Sequence, residues 1–217
     1  MAGWPEGNWL RAERQTAGRG RLGREWQSVE GNLHASTLIR LRPTDPPMTG
    51  LGLLLGVSVQ SALSDLLPHG AFQLKWPNDV MLSGAKLAGM LLEREGEWVI
   101  AGIGINVASA PSMPDRETIA LANVPGGESL TAAQVLDALI VSLDHWLVRW
   151  RAGGSAEIIT AWQNRAYPIG TRLTVKTGAD QPLIGQFLGL NADGALILQL
   201  DDGSQQVIHS GDVGVLA

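Results

Sequence analysis

The chain contains no cysteine. Disulfides, thiolate metal centres and a cysteine nucleophile are thereby excluded, and a reducing cytoplasm is the compartment expected. Tyr and Phe are scarce, one and two in 217 residues, and the net charge is −5. Both argue against nucleic acid as a partner, so no DNA is expected. No apolar run reaches the length of a membrane span, and Met1 is followed by Ala-Gly-Trp-Pro instead of a basic and then apolar leader. A soluble protein with no membrane partner is expected. The four histidines, His34, His69, His145 and His209, stand far apart at no metal-ligand spacing. Each reads as a surface or satisfied core residue, and the metal ligands stay unknown.

What is present is globular: 45% hydrophobic and 17% charged residues, long enough for one full-sized domain and a small companion. The most unusual stretch runs from Glu13 to Trp26. Five arginines against one acid between Arg11 and Arg24 leave that segment at +4 and the rest of the chain at −9. Glycines at 18, 20 and 23 offer positive φ and close backbone approach, and the arginines between them are planar forks suited to phosphate and carboxylate. The segment reads as an anion-binding loop. It satisfies G-x-G-x-x-G, but no helical apolar period follows Gly23, so a dinucleotide fingerprint is not supported.

Trp9–Arg14 and Leu33–Leu41 read as strands that hold this loop between them. Met48–Leu67 reads as a largely buried helix ended by Pro68. Three strand-like pieces follow, Phe72–Trp76, Lys86–Arg94 and Trp98–Val107, the first two expected to pair antiparallel across turn chemistry at Pro77-Asn78-Asp79 and Ser83-Gly84. In the third, Val99, Ala101, Ile103 and Ile105 share one face, while Gly102, Gly104 and Asn106 share the other. A strand face without side chains admits a ligand or another packed group. Residues 108–130 read as a long connection. Thr131 and Gln134 form a capping box before an amphipathic helix, and a second helix covers Ser155–Ala166. Beyond Pro168, short strands at Thr171–Lys176, Gly185–Leu190, Leu196–Leu200 and Gln205–His209, separated by turns including Thr177–Asp180, suggest a small β-barrel. The expected domains are 1–167 and 168–217.

Four segments in order, Arg14-Gln-Thr-Ala-Gly-Arg-Gly-Arg-Leu-Gly-Arg24, Lys75-Trp-Pro-Asn-Asp79, Lys86-Leu-Ala-Gly89 and Gly102-Ile-Gly-Ile-Asn106, resemble the biotin protein ligase family. The resemblance runs from about Asn8 to the end of the chain. It implies an α+β fold, with a class II aminoacyl-tRNA synthetase-like catalytic domain and a small C-terminal SH3-like β-barrel. It implies ATP-dependent activation of biotin to biotinyl-adenylate, with Mg²⁺, and transfer to a lysine of a biotin carboxyl carrier domain, leaving a homodimer open. Carried over residue by residue, it puts biotin against Gln15, Gly18, Arg19, Gly20, Arg21, Lys86 and Gly89, with Lys86 and Arg21 catalytic, and ATP near Arg24, Trp26, Asn78 and Asn106. Longer family members carry a DNA-binding module ahead of the catalytic domain, and nothing here reads as one. Two departures stand out: Leu22 replaces a frequent arginine, and the Ser-Thr-Asn segment that the family places upstream of the loop finds no room before Trp9. Ser36-Thr37 lies on the strand after the loop, and restoring codons upstream of Met1, if the reading frame extends there, is expected to tighten biotin binding.

The residue types suit such chemistry. A carboxylate acylates an amine only after its oxygen becomes a leaving group, and activation by ATP brings two anions together. Two unit charges about 4 Å apart repel by roughly 1 kcal/mol in water and about 4 kcal/mol at an effective dielectric of 20. A lysine and fixed arginine forks supply the compensation. A lipoate or octanoate ligase of related fold and a non-catalytic biotin-binding protein remain as alternatives.

Overall fold

Leu33, Ala35, Thr37 and Ile39 alternate with His34, Ser36, Leu38 and Arg40, which gives a strand two chemically different faces. The computed structural model describes residues 4–178 and 181–216. It builds that segment as β2 (Leu33–Arg40), following β1 (Trp9–Ala12) and preceding α1 (Gly50–Leu66), β3 (Phe72–Lys75), β4 (Asp79–Leu82), β5 (Ala85–Glu95) and β6 (Trp98–Ile105). All six strands form one antiparallel sheet in the order β1-β2-β6-β5-β4-β3. Leu33, Ala35, Thr37 and Ile39 are buried on one face of it. That face is covered by α1 and α2 (Ala132–Gly153), and α3 (Ser155–Gln163) packs against both helices. The apolar residues of α1 surround it on most sides because it lies between the sheet and both other helices. The capping box of α2 forms as expected: the Gln134 amide donates to Thr131 Oγ1 at 3.3 Å and the Thr131 amide to Gln134 Oε1 at 3.0 Å.

One expectation about pairing fails. The first two strand-like pieces after α1 do not pair with each other, because β4 lies between β3 and β5 and pairs with both. Its four residues are all buried and sit between the two turns, so no alternation marks them.

The C-terminal part forms a second antiparallel sheet from β7 (Arg172–Lys176), β8 (Leu183–Leu190), β9 (Leu196–Leu200), β10 (Gln205–Ile208) and β11 (Asp212–Val215), ordered β10-β9-β8-β7-β11. The last strand went unnoticed in the sequence, and the expected turn at Thr177–Asp180 falls partly outside the described residues, at Ala179 and Asp180. This sheet docks firmly on the first part. Trp76 Nε1 donates to the Gly194 carbonyl at 3.1 Å, Gln163 Oε1 accepts from the Leu190 amide at 2.7 Å, and the Trp162 ring meets Phe187 edge-on. Among the described residues, no helix is long and apolar enough to cross a membrane.

Candidate active site

The sheet face opposite the helices carries the site, and strand register builds its floor. His34 on β2 pairs with Gly104 on β6, Gly104 with Gly89 on β5, and Gly89 with Asp79 on β4, so the four lie in one row across the sheet. The two glycines in the middle leave a trough, and the Trp26 indole fills it. A Cβ added at Gly104 would run into that ring, and one added at Gly89 would come within 3.1 Å of it. Trp26 Nε1–H donates to His34 Nδ1 at 3.3 Å, and His34 Nε2 lies 3.3 Å from the Val29 carbonyl. Both bonds are made when the proton sits on Nε2, which assigns the tautomer of this buried histidine. His34 is thus a satisfied core residue, and its work is to hold Trp26.

Lys86 reaches the same face through an irregularity. The pairing of β4 with β5 shifts between Val80 and Met81, so Leu87 is an extra residue on β5. Strict alternation from Gly89 would send Lys86 to the helix side. The bulge turns it back, and Leu87 enters the core instead. Lys86 Nζ then donates to Asp79 Oδ1 at 2.6 Å, while Lys75 Nζ lies 3.5 Å from Asp79 Oδ2 and donates to the Val213 carbonyl at 3.0 Å. With side chains 15% and 8% exposed, Lys86 and Asp79 form a largely desolvated pair. Lys86 also lies 5.8 Å from the Trp26 ring centre, in cation–π range.

The arginine loop closes over this floor. Gly20 and Arg24 are joined by a backbone bond, the Trp26 amide donates to the Gly18 carbonyl, and Arg21–Gly23 form a single 3-10 turn. Of the three loop glycines only Gly23 takes positive φ, at +72°, beside a left-handed Leu22 at 58°. Gly18 is needed for space instead: a Cβ there would lie 2.9 Å from Gln15 Oε1 and closer still to the Trp26 carbonyl. The C-terminal sheet ties the loop down. Arg21 Nη1 donates to the Gly211 carbonyl at 3.3 Å and to Asn78 Oδ1 at 3.4 Å, and Arg24 Nη2 donates to Asp212 Oδ2 at 2.7 Å. Burial pulls the Arg21 pKa below its ordinary value, with Asp79 and Asp212 pushing back. Burial also pushes Asp212 up, but the Arg24 hydrogen bond and the charges of Arg24, Arg116 and Lys75 outweigh it and hold the carboxyl below its ordinary range.

Between loop and sheet lies a cavity of about 580 Å³. The five cations in its lining, Arg19, Arg21, Arg24, Lys86 and Arg116, face five acids, Glu25, Asp79, Glu93, Asp115 and Asp212. The positive charge concentrated in the loop sequence is therefore balanced in space by acids from β4, β5, β11 and the segment after β6. An anion entering here must take over partners that these acids hold.

Two family models match the chain: the Biotin/lipoate A/B protein ligase family over residues 1–108 and the Biotin protein ligase C terminal domain over residues 169–215. A biotin–[acetyl-CoA-carboxylase] ligase of Paracoccus denitrificans is 37% identical, over 94% of this chain and 89% of its own. The chain belongs to the biotin protein ligase family. The bifunctional ligase/repressor BirA of Bacillus subtilis is 33% identical over 96% of this chain, which spans 66% of that protein. Among solved biotin protein ligases, one from Aquifex aeolicus in complex with biotin and ATP superposes with a TM-score of 0.84 at 29% identity, covering 98% of this chain and 90% of that one.

The family motifs converge on the cavity. Gln15, Arg19, Gly20, Arg21, Arg24, Trp26, Asn78, Lys86, Gly89 and Asn106 all line it. Gly18 does not; it lies on a second cleft, with Gln15 and Trp26. The two asparagines are already occupied with protein: Asn78 Nδ2 donates to the Met90 carbonyl at 2.7 Å and Asn106 Nδ2 to the Ile119 carbonyl at 3.1 Å. Ser36, which in sequence lies on the strand after the loop, nevertheless lines the cavity beside Gly102. Sequence reasoning missed Asp79 as the partner of Lys86, although it stands in the quoted motif. It also missed Asn32, whose buried Oδ1 accepts the amides of Val107, Ala108 and Ser109 and so fixes the chain leaving β6. Asp212 and Arg116 carried no signal beyond their charge.

Proposed function

We propose that this protein activates biotin with ATP to biotinyl-adenylate and transfers the biotinyl group to a lysine of a biotin carboxyl carrier domain. The carrying observation is Lys86, a desolvated ammonium that the bulge turns into a glycine-floored cavity beneath Arg21. The names of the relatives and the biotin and ATP bound in the Aquifex aeolicus ligase support the same reading. The finer architecture belongs to it as well: a class II synthetase-like catalytic unit over 1–167 and an SH3-like unit over 168–217.

In the first step a biotin carboxylate oxygen attacks the α-phosphorus of ATP, the bond to the β-phosphate oxygen breaks, and pyrophosphate leaves. Lys86 and Arg21 meet the negative charge that accumulates between the two anions, where the low dielectric makes each worth more than in water. Trp26, held by His34, provides a flat apolar surface over Gly89 and Gly104. In the second step the neutral amine of a carrier lysine attacks the mixed-anhydride carbonyl, a carbon–nitrogen bond forms, and AMP departs as the amine gives up a proton. Ser36 offers a hydroxyl to a ureido ring. Among the described residues no group of three His, Asp or Glu side chains is arranged to hold a metal. The described residues thus present no metal site of their own, and Mg²⁺ arriving with the nucleotide would supply neutralisation of phosphate charge.

The C-terminal family model, described for biotin protein ligases, favours biotin over lipoate or octanoate. Pyrophosphate release measured with each acid separates the readings. Turnover of biotin alone is expected, octanoate turnover in its place overturns the substrate, and biotin binding without turnover of any acid leaves a binding protein.

A further inference from the structure

Arg116 belongs to none of the four sequence motifs, yet its side chain lines the cavity. The segment carrying it is anchored at both ends. Asn32 grips Val107 to Ser109, and beyond the end of β6 the Lys86 amide donates to the Glu117 carbonyl while the Ile119 amide donates to the Lys86 carbonyl, each within 3.0 Å. Thr118 thereby bridges Lys86 in parallel, and its hydroxyl donates to the Pro111 carbonyl. Arg116 therefore stands two residues from a fixed point on the backbone of Lys86. Its side chain is 21% exposed, whereas its ion-pair partner Asp115, the preceding residue, is 52% exposed.

That asymmetry matters. Asp79 is buried between two lysines and Asp212 is half-buried on Arg24, so neither gives up its cation readily. Asp115 can turn to water, and exposed ion pairs are weak. A guanidinium at the cavity wall whose counter-ion is the more exposed member of the pair can exchange that carboxylate for the oxygens of an incoming phosphate, which its planar fork suits. Lys86 and Arg21 meet the reacting carboxylate and α-phosphate, and the rest of a triphosphate carries charge that they do not meet. We propose that Arg116 is a phosphate-binding residue of the nucleotide site, with Asp115 as its built-in competitor. This rests on the reading of the cavity as the site of biotinyl-adenylate formation.

Calorimetry with biotin, then KM for ATP by pyrophosphate release, tests it on the parent and on Arg116→Ala, Arg116→Lys and Asp115→Asn. Arg116→Ala should raise KM for ATP by about ten-fold to a hundred-fold, as expected for a lost charge-assisted contact, with biotin affinity unchanged. Arg116→Lys should recover part of the loss. Asp115→Asn should lower KM for ATP a few-fold, the opposite sign. A pair that merely braces the segment would make Arg116→Ala and Asp115→Asn equally harmful, and that result overturns the proposal, as does an unchanged KM in Arg116→Ala. A parent that fails to bind biotin overturns the reading of the site instead, so the two failures are distinguishable.

Discussion

At the scale of single residues, the site depends on side chains that position one another. Lys86 carries its charge into the cavity only because Asp79 receives it and the bulge aims it. Lys86→Ala should reduce adenylate formation by on the order of 10² to 10³, as for loss of one transition-state donor. A strand-end lysine read from sequence alone suggests no cost to the fold, but the structure says otherwise. Without Lys86 the buried Asp79 keeps only Lys75 at 3.5 Å, so stability should also fall, by roughly 1 to 3 kcal/mol. Replacing Asp79 with Ala in the same chain should restore much of the stability and none of the activity, since removing both partners costs less than stranding one. Thermal unfolding and pyrophosphate release read the two effects separately, and near-parental adenylation by Lys86→Ala would remove it from the chemistry. Little of this geometry shows in the sequence. Lys86-Leu-Ala-Gly89 reads the same with or without an extra residue in the strand, so the motif could be recognised but not its orientation.

At the scale of elements, the arginine loop is fastened at both sides. Trp26 sits in the glycine trough at one end, and Arg21 and Arg24 are held by Gly211 and Asp212 at the other. Asp212→Asn should loosen it, and trypsin should then cut after the loop arginines faster than in the parent, with biotin and ATP slowing cleavage in both. Equal cleavage rates in variant and parent would show that this contact does not hold the loop. Arg21→Gly should leave some adenylate formation to Lys86 but release the intermediate, seen as biotinylation of bystander proteins that the parent ignores. Its absence would make Arg21 a static contact. The loop, the strands that bracket it, α1, the capping box and the glycine face of β6 were all legible, because each rests on a local signal of period, cap or turn. Two strands were not. β4 is four buried residues between two turns, and Asp212-Val-Gly-Val215 is a short strand interrupted by glycine. The bridge from Thr118 to Lys86 joins segments that no local pattern relates.

At the scale of the whole molecule, charges concentrated in sequence are balanced in space. The loop arginines find Glu93 and Asp212 from distant parts of the chain, which composition cannot reveal. The N-terminal segment is fixed by the same means. Glu6 binds Arg151 at 2.6 Å and Arg42 at 3.0 Å and accepts the Arg40 amide at 3.0 Å, while Asp45 lies 3.3 Å from Arg151 Nε. Burial raises the Glu6 pKa, but those hydrogen bonds and the Arg151 charge outweigh it and hold it below its ordinary value. A depressed carboxyl stabilises the fold above the ordinary carboxylate range, and the contribution is lost as pH falls through the folded value. Glu6→Gln should therefore cost about 1 to 2 kcal/mol at neutral pH, and chemical denaturation should show the gap to the parent closing as the buffer is acidified. A gap that persists in acid would assign the effect to shape and not charge. Loop, sheet face and C-terminal sheet together enclose one cavity, in which biotin would be activated for attachment to a protein lysine. Intact-mass analysis of a biotin carboxyl carrier domain incubated with the protein, biotin, ATP and Mg²⁺ tests it most directly. The carrier should become heavier by one biotinyl group, dependent on ATP, and the gain should be abolished when the carrier's acceptor lysine is replaced. An unmodified carrier, from protein shown to be folded and to bind biotin, would contradict it.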